Sequence, residues 1–484
     1  MDLIITILYT TALLYIFLFS MAQLHLTWLY IRERKKEHEP VINPAFEPAV
    51  TIQLPVYNEK YVIARLLEAV GALDYPKDKF DIQVLDDSTD ETSQIIAEAL
   101  PALRSRGINI KHIRRPGREG FKAGALQFGL PEASGDFIAI FDADFIPEPS
   151  FLRQTLPYLA DPAVGVIQTR WAHINEGYSL LTQLQAFGLD AHFSIEQTAR
   201  NAAGSFINFN GTGGVWRKNC IVQSGGWSAD TLTEDLDLSY RAQLAGWKFK
   251  YVESIATLGE LPVMMQSIKS QQYRWNKGGA ETARKHLRKV LRSNVPLMTK
   301  IHACFHLLNS AVFVGVLMAG ILSVPMLFIL QRSAKYEWIF YLGLVLLAGF
   351  FSIAFFYWTA TRRFHHHALK KFLQRFPAFL IVSMGLSLHN GFAVLQGLAG
   401  FKTPFVRTPK FNITGNQVRL NNNGYFKPVI NVMTIAEGLL CVYFTTAIVM
   451  GIVMQNTSLL LFHFMLSSGF GIVFFYSIKP FTHE

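Results

Sequence analysis

The chain has 484 residues, half of them hydrophobic, and a formal net charge of +10. A mean hydropathy of +0.23 excludes an ordinary soluble enzyme, whose average is pulled down by a polar surface. Much of the positive excess lies beside apolar runs, where anionic headgroups attract it, so membrane lipids are the partner this charge implies and no nucleic acid is expected.

The first apolar run, residues 3–30, is long enough to cross a hydrocarbon core of ~30 Å at ~1.5 Å per residue. Arg32, Arg34, Lys35 and Lys36 follow it. A signal peptide carries its charge before the apolar run, so residues 1–31 read as an anchor with its N-terminus outside and its basic flank in the cytosol. Residues 32–262 have the mixed texture of one globular cytosolic domain. In it, residues 49–55 form a short apolar strand, and Tyr57-Asn58-Glu59 opens a helix through Val70. Residues 82–85 are a second buried strand ending in Asp86-Asp87, with Thr89 or Asp90 as N-cap of the following helix. Residues 137–141 are a third strand, ending in Asp142-Ala143-Asp144. Strands alternating with helices imply an α/β domain with a parallel sheet, whose ligands bind beyond the carboxyl ends of the strands. Both acidic clusters fall there.

Carboxylates two residues apart can jointly face a hard divalent cation, Mg2+ or Mn2+, so Asp142 and Asp144 are the metal candidates. Such an ion bridges diphosphate oxygens and neutralises a departing nucleoside diphosphate. Lys122, among the small residues of Gly120-Phe121-Lys122-Ala123-Gly124-Ala125, suits a further diphosphate contact; a solvated surface lysine is its other reading. Asp235 in Thr233-Glu234-Asp235 stands at the start of a helix through Leu244. It reads either as a general base or as an N-cap, a role that Glu234 and Asp237 suit equally. In Gln271-Gln272-Tyr273-Arg274-Trp275, Arg274 can make charge-assisted bonds to phosphate, and Trp275 is either a sugar-stacking face or an interfacial anchor. Trp171 and Trp227 read at least as well as core residues. His173 and His192 read as ordinary polar or core histidines, and His365-His366-His367 as part of a basic interfacial stretch.

Residues 263–298 alternate apolar and basic side chains, which suits amphipathic helices seating the domain on a bilayer. Apolar runs follow near 306–330, 338–359, 376–398, 429–454 and 458–477. The third contains Pro377, Ser383, His389 and Asn390 and has basic groups on both sides, Lys370, Lys371 and Arg375 before it and Lys402, Arg407 and Lys410 after it. Crossing would leave one group outside, so this run is expected as a helix in the cytoplasmic interface. The expected order is therefore two membrane helices in 299–360, an interface helix and loop in 361–427, and two more membrane helices in 428–484. Cys220, Cys304 and Cys441 are far apart and form no CxxC pair, in keeping with a reducing cytosol.

Together these motifs closely resemble the inverting family 2 glycosyltransferases with a GT-A (Rossmann-like) fold. Within that family they are most similar to the cellulose synthase superfamily, above all its cellulose synthase-like mannan and glucan synthases. Pro55-Val56-Tyr57-Asn58-Glu59 resembles the opening nucleotide strand, Asp86-Asp87 the uridine-contacting pair, and Asp142-Ala143-Asp144 the DxD motif. Thr233-Glu234-Asp235 resembles the TED motif, and Gln271, Arg274 and Trp275 match QxxRW. The resemblance implies donor contacts at Tyr57, Glu59, Asp86, Asp87, Lys122, Asp142, Asp144, Gln271 and Arg274. It implies catalysis by Asp235 with Glu234, and acceptor contacts at Asn210, Gly211, Thr212 and Trp275. Asn210 stands where cellulose synthase has cysteine. Phe405-Val406-Arg407-Thr408-Pro409-Lys410 resembles the FxVTxK gating loop, through Phe405, Thr408 and Lys410, with Arg407 in place of valine. The implied activity is polymerisation of a β-linked polysaccharide, a β-1,4-mannan or glucomannan or a β-glucan, coupled to translocation. Its partners would be a UDP-glucose or GDP-mannose donor and the growing glycan acceptor. The alternatives are a non-processive, ceramide-type lipid glycosyltransferase and an inactive glycan-export component.

Overall fold

A computed structural model describes residues 1–33, 46–332, 338–404, 406–413 and 430–478. Eight strands form one sheet: β1 (Val50–Val56), β2 (Phe80–Asp86), β3 (Asn109–Ile113), β4 (Phe137–Ile140), β5 (Phe145–Ile146), β6 (Val164–His173), β7 (Gly214–Arg217) and β8 (Lys248–Gly259). Their order is β3-β2-β1-β4-β7-β6-β8-β5. The half that holds β1 to β4 is parallel, and its central strands are buried on both faces. Polar side chains there are paired across strands: Thr51 Oγ1 donates to Asp81 Oδ1 at 2.7 Å and Gln53 Nε2 to Gln83 Oε1 at 2.9 Å.

The expectation of a parallel sheet holds only for that half. β7 is antiparallel to both β4 and β6, and β5 to β8. The reason lies in how the chain arrives. Helical residues 180–202 bring the chain to the start of β8, where Asn201 donates to Phe249 O and accepts from Tyr251 N. Residues 205–213 then climb back along the helix Glu234–Leu244, with Ile207 N on Gln243 Oε1 and Phe209 N on Ser239 Oγ, to the carboxyl end of β4, where Gly213 N donates to Ile140 O at 3.0 Å. β7 therefore starts where β4 ends and descends beside it.

Two helix starts also differ from the sequence reading. The first helix of the domain is Ile63–Gly71, so Tyr57, Asn58 and Glu59 stay in the loop after β1. Asn58 adopts φ +56° and bridges the ends of two strands: its amide donates to Ser88 Oγ at 2.9 Å and its Oδ1 accepts from Thr89 N at 2.8 Å. Thr89 is thereby held by Asn58. The next helix, Thr92–Ser105, has Glu91 as N-cap without a side-chain bond, while Asp90 Oδ1 accepts from Thr92 N at 3.0 Å.

Among the described residues, four helices are long and apolar enough to cross a membrane: Asp2–Glu33, Asn309–Arg332, Val432–Val453 and Leu460–Ile478. Trp338–Phe364 adds a helix of 27 residues with an apolar sequence up to Thr359. Large apolar side chains such as Ile4, Ile7, Leu439, Val442 and Phe464 are exposed along these rods, a surface that suits lipid. The run expected as a single interface helix is two, Ala368–Gly385 and Ser387–Ala399, bent by 53°. Each half is held by a different partner. A Cβ on Gly385 would lie 2.2 Å from Gly469 O, so the first half lies directly on Leu460–Ile478. A Cβ on Gly397 would lie 2.6 Å from Lys277 O, so the second half lies on Met265–Arg292. That 28-residue helix carries the QxxRW residues and is tied to the apolar helices by Lys269, which donates to Glu437 Oε2 at 2.6 Å and Ser477 Oγ at 2.8 Å.

Candidate active site

A cleft opens at the carboxyl ends of β1 and β4. From the first three motifs it receives Tyr57, Glu59, Asp87, Asp142 and Asp144. Lys122, Glu234 and Asp235 line its floor, Asn210 and Gly211 stand beside them, and Gln271, Arg274 and Trp275 come from the long helix. Thr408 and Lys410 close one side together with Arg407. Phe405 lies outside the described residues.

Two expected contact residues are not on the wall. The Asp86 side chain is fully buried at the end of β2, where it accepts from Ser93 Oγ at 2.5 Å and Ser88 N at 2.8 Å and meets His112 Nε2 at 2.9 Å. Burial raises its pKa, but these partners outweigh it and hold the carboxyl at about 2. Asp86 therefore braces the loop that presents Asp87. Thr212 is buried too, and its Oγ1 accepts from Asp142 N at 2.9 Å, fixing the turn that carries the acidic pair.

Positive charge meets most of the acidic groups on the wall. Arg115 donates to both Asp87 oxygens at 2.7 and 2.6 Å, and the Arg118 guanidinium lies 3.3 Å from the centre of the Tyr57 ring. Lys122 Nζ stands 2.6 Å from Asp142 Oδ1, 3.8 Å from Glu234 Oε1, and donates to Gly211 O at 2.9 Å. Lys410 Nζ stands 2.6 Å from Asp144 Oδ2, and Arg407 donates to both Glu59 oxygens at 2.9 and 2.6 Å. Arg274 donates to Thr408 Oγ1 at 2.9 Å and to Val406 O at 3.2 Å, which ties the long helix to the loop. Burial, reinforced by Asp144 and Glu234, raises Asp142 in spite of Lys122. Burial also pushes Glu59 up to about 7 against the pull of Arg407.

Glu234 and Asp235 occupy the first turn of the helix Glu234–Leu244, behind an N-cap, Thr233, that makes no side-chain bond. Asp235 Oδ1 accepts from Leu236 N at 2.8 Å. Burial and the neighbouring Glu234 push Asp235 up to about 7, outweighing Lys122 and that backbone bond. A carboxylate so placed can accept a proton near neutral pH. Asp237 is engaged elsewhere, by Arg241 at 2.9 Å and by Lys285 and His286 at 2.7 Å each. Gly211, at φ +82°, must be glycine: a Cβ there would lie 3.1 Å from Asp235 Oδ2 and 3.2 Å from Lys122 Nζ.

An aromatic wall faces this charged floor. Trp275 is 37% exposed, and its ring centre lies 6.4 Å from that of Trp171, which packs on Phe145 and Phe193 at 4.9 Å each. Trp171 and His173 thus belong to the cleft wall, whereas Trp227 is buried against Trp216. Burial brings His173 down to about 4. Sequence reading passed over Arg115 and Arg118; the signal was there, a basic run Arg114-Arg115 with Arg118 at the carboxyl end of β3. Among the described residues no group of three or more His, Cys, Asp or Glu side chains is arranged to hold a metal ion.

This mixed sheet, with its cleft at the carboxyl ends, is a GT-A-like glycosyltransferase fold. Residues 48–278 match the family described as "Glycosyltransferase like family 2", and this part of the chain is a domain of that family. The chain is 43% identical over 289 residues to the probable glucomannan 4-beta-mannosyltransferase 2 of Oryza sativa subsp. japonica, covering 59% of this chain and 49% of the relative. It is 40% identical over 282 residues to the glucomannan 4-beta-mannosyltransferase 7 of Arabidopsis thaliana, covering 57% and 50%. The chain thus spans about half the length of the curated relatives it matches. The mannosyltransferase PcManGT from Pyrobaculum calidifontis, solved with GDP-Man and Mn2+, superposes with a TM-score of 0.56 over 83% of this chain and all of that one. At 18% identity this likeness concerns the fold.

Proposed function

We propose that the chain is a membrane-embedded, inverting hexosyltransferase that extends a β-mannan or glucomannan from GDP-mannose, with UDP-glucose as the alternative donor. The observation that carries this reading is the meeting of Asp142, Asp144, Lys122, Asp235, Arg274 and Trp275 in one cleft. The names of the relatives favour mannose as the sugar.

The residues fit a divalent cation. Asp142 and Asp144 offer hard oxygen donors, and each already faces an ammonium at 2.6 Å, so both positions accept positive charge. Two carboxylates completed by substrate phosphates and water are a usual protein share for Mg2+ or Mn2+. Bound by them, the ion would neutralise charge on the departing diphosphate. Lys122 and Arg274 supply charge for the same group from the protein. Asp235 takes the proton of the acceptor hydroxyl as that oxygen bonds to the anomeric carbon. The bond from that carbon to the diphosphate breaks on the opposite face, so configuration inverts. Trp275 and Trp171 offer flat apolar faces to the pyranose ring of the acceptor. Arg407, Thr408 and Lys410 belong to a loop that closes over the donor.

In this reading the first helix and the four later apolar helices span the bilayer, with the N-terminus outside and the transferase domain cytosolic. The helix Met265–Arg292 seats that domain on the lipid, and the product leaves between the spans. The test is product analysis with purified protein in nanodiscs, given Mg2+ or Mn2+ and each donor separately. High-molecular-weight product cut by an endo-β-mannanase supports the reading. Label confined to a lipid-soluble monoglycosyl product overturns it in favour of a lipid glycosyltransferase.

A further inference from the structure

We infer that His192, held by Glu196, is a positioning residue for the acceptor sugar and acts through the side-chain amide of Asn210. This rests on the reading of the cleft as a transferase site. His192–Gln197 is wound as one π-turn between the helices Leu180–Ala191 and Thr198–Ala202. Such turns are rare and recur where a functional side chain is aimed. Here the winding gathers His192, Glu196 and Gln197 around Asn210.

The proton positions in this cluster follow from its geometry. Glu196 Oε2 lies 2.9 Å from His192 Nδ1 and accepts from Arg200 Nη1 at 3.2 Å, while Oε1 accepts from Gln23 Nε2 at 2.8 Å. Burial works against its charge, but Arg200, His192 and Gln23 together keep it ionised well below the usual carboxylate range. A carboxylate can only accept, so the imidazole proton sits on Nδ1 and the lone pair on Nε2. That lone pair faces Asn210 Nδ2 at 3.3 Å, which donates to it. The other end of the amide, Asn210 Oδ1, accepts from Gln197 Nε2 at 2.7 Å. Both bonds agree on which end of the amide is nitrogen. Asn210 is therefore fixed at both ends while it lines the cleft, next to the glycine that lies against Asp235. One N–H and one oxygen lone pair remain on the amide, the pair of functions that reads the orientation of a sugar hydroxyl. The same carboxylate ties this arrangement to Gln23, on the first apolar helix.

The test uses full-length protein in nanodiscs, with mannohexaose and cellohexaose as probe acceptors. Calorimetry measures their binding, and initial rates give separate KM values for acceptor and donor. His192→Ala is expected to weaken acceptor binding about tenfold while the donor KM stays within about twofold, the loss of one buried hydrogen bond at the acceptor alone. His192→Gln, whose amide can still accept from Asn210, is expected to recover to within about threefold of wild type. Should His192→Ala fail to fold, Glu196→Gln removes the charge that fixes the tautomer and is expected to shift acceptor binding in the same direction. Unchanged acceptor affinity, or equal losses for donor and acceptor, overturns the inference and leaves the transferase reading standing. Wild-type protein that binds neither oligosaccharide and turns over no donor overturns both.

Discussion

The two halves of the cleft are built on different principles. The floor, from Glu59 through Asp142 and Asp144 to Glu234, is a set of carboxylates at strand ends and a helix start, met by Lys122, Arg274, Arg407 and Lys410. The aromatic side, with Trp171, Trp275 and Asn210, has neutral groups and flat surfaces on the wall itself, and the charged pair of Glu196 and Arg200 lies behind the amide that Glu196 helps to fix. A nucleoside diphosphate is recognised by charge and a pyranose by shape and hydrogen bonding, so on the proposed reading the charged half takes the donor and the aromatic half the acceptor.

The largest expected effect is at the boundary between the halves. Asp235→Asn keeps the shape but cannot take a proton, and is expected to lower kcat by about a thousandfold with donor binding retained, as initial rates and nucleotide titration would show. On the floor, Asp144→Ala is expected to cost about a hundredfold in kcat/KM and to raise the Mn2+ concentration needed for half activity; an unchanged metal requirement would break the assignment. The pH profile sharpens the same point. Asp235 must be deprotonated to act, and burial holds its pKa near 7, so kcat/KM is expected to rise with pH through about 7 and to level off above it. A profile flat down to about pH 5 would mean that Asp235 is not the base. On the aromatic side, Trp275→Ala is expected to raise the acceptor KM about tenfold with little change for the donor. The smallest effect is that of salt: raising ionic strength from about 0.05 to 0.5 M should weaken donor binding several-fold and leave acceptor binding nearly unmoved. Equal sensitivity would erase the distinction between the halves.

The floor was largely legible in the sequence because its residues come as contiguous motifs at strand ends. Even there, adjacent aspartates could not be told apart: only the three-dimensional arrangement shows Asp86 turned inward to Ser88, Ser93 and His112 while Asp87 reaches the wall. The aromatic side was less legible, because Trp171, Asn210 and Trp275 lie far apart in sequence and His192 reaches Asn210 only through a π-turn that no local pattern announces. The direction of β7 and the bend after Gly385 escaped for a related reason. Both are set by distant contacts, at Ile140 and at Gly469, and not by the residues that turn.

The pairing of Lys269 with Glu437 and Ser477 gives the long helix a mechanical role. Arg274 lies five residues further along the same rod, about one and a half turns. The ion pair is buried and clamps that rod to the helices Val432–Val453 and Leu460–Ile478. On the proposed reading, with those helices in a bilayer, lipid thickness sets their tilt, and the protein is expected to turn over at different rates in nanodiscs of short-chain and long-chain lipids.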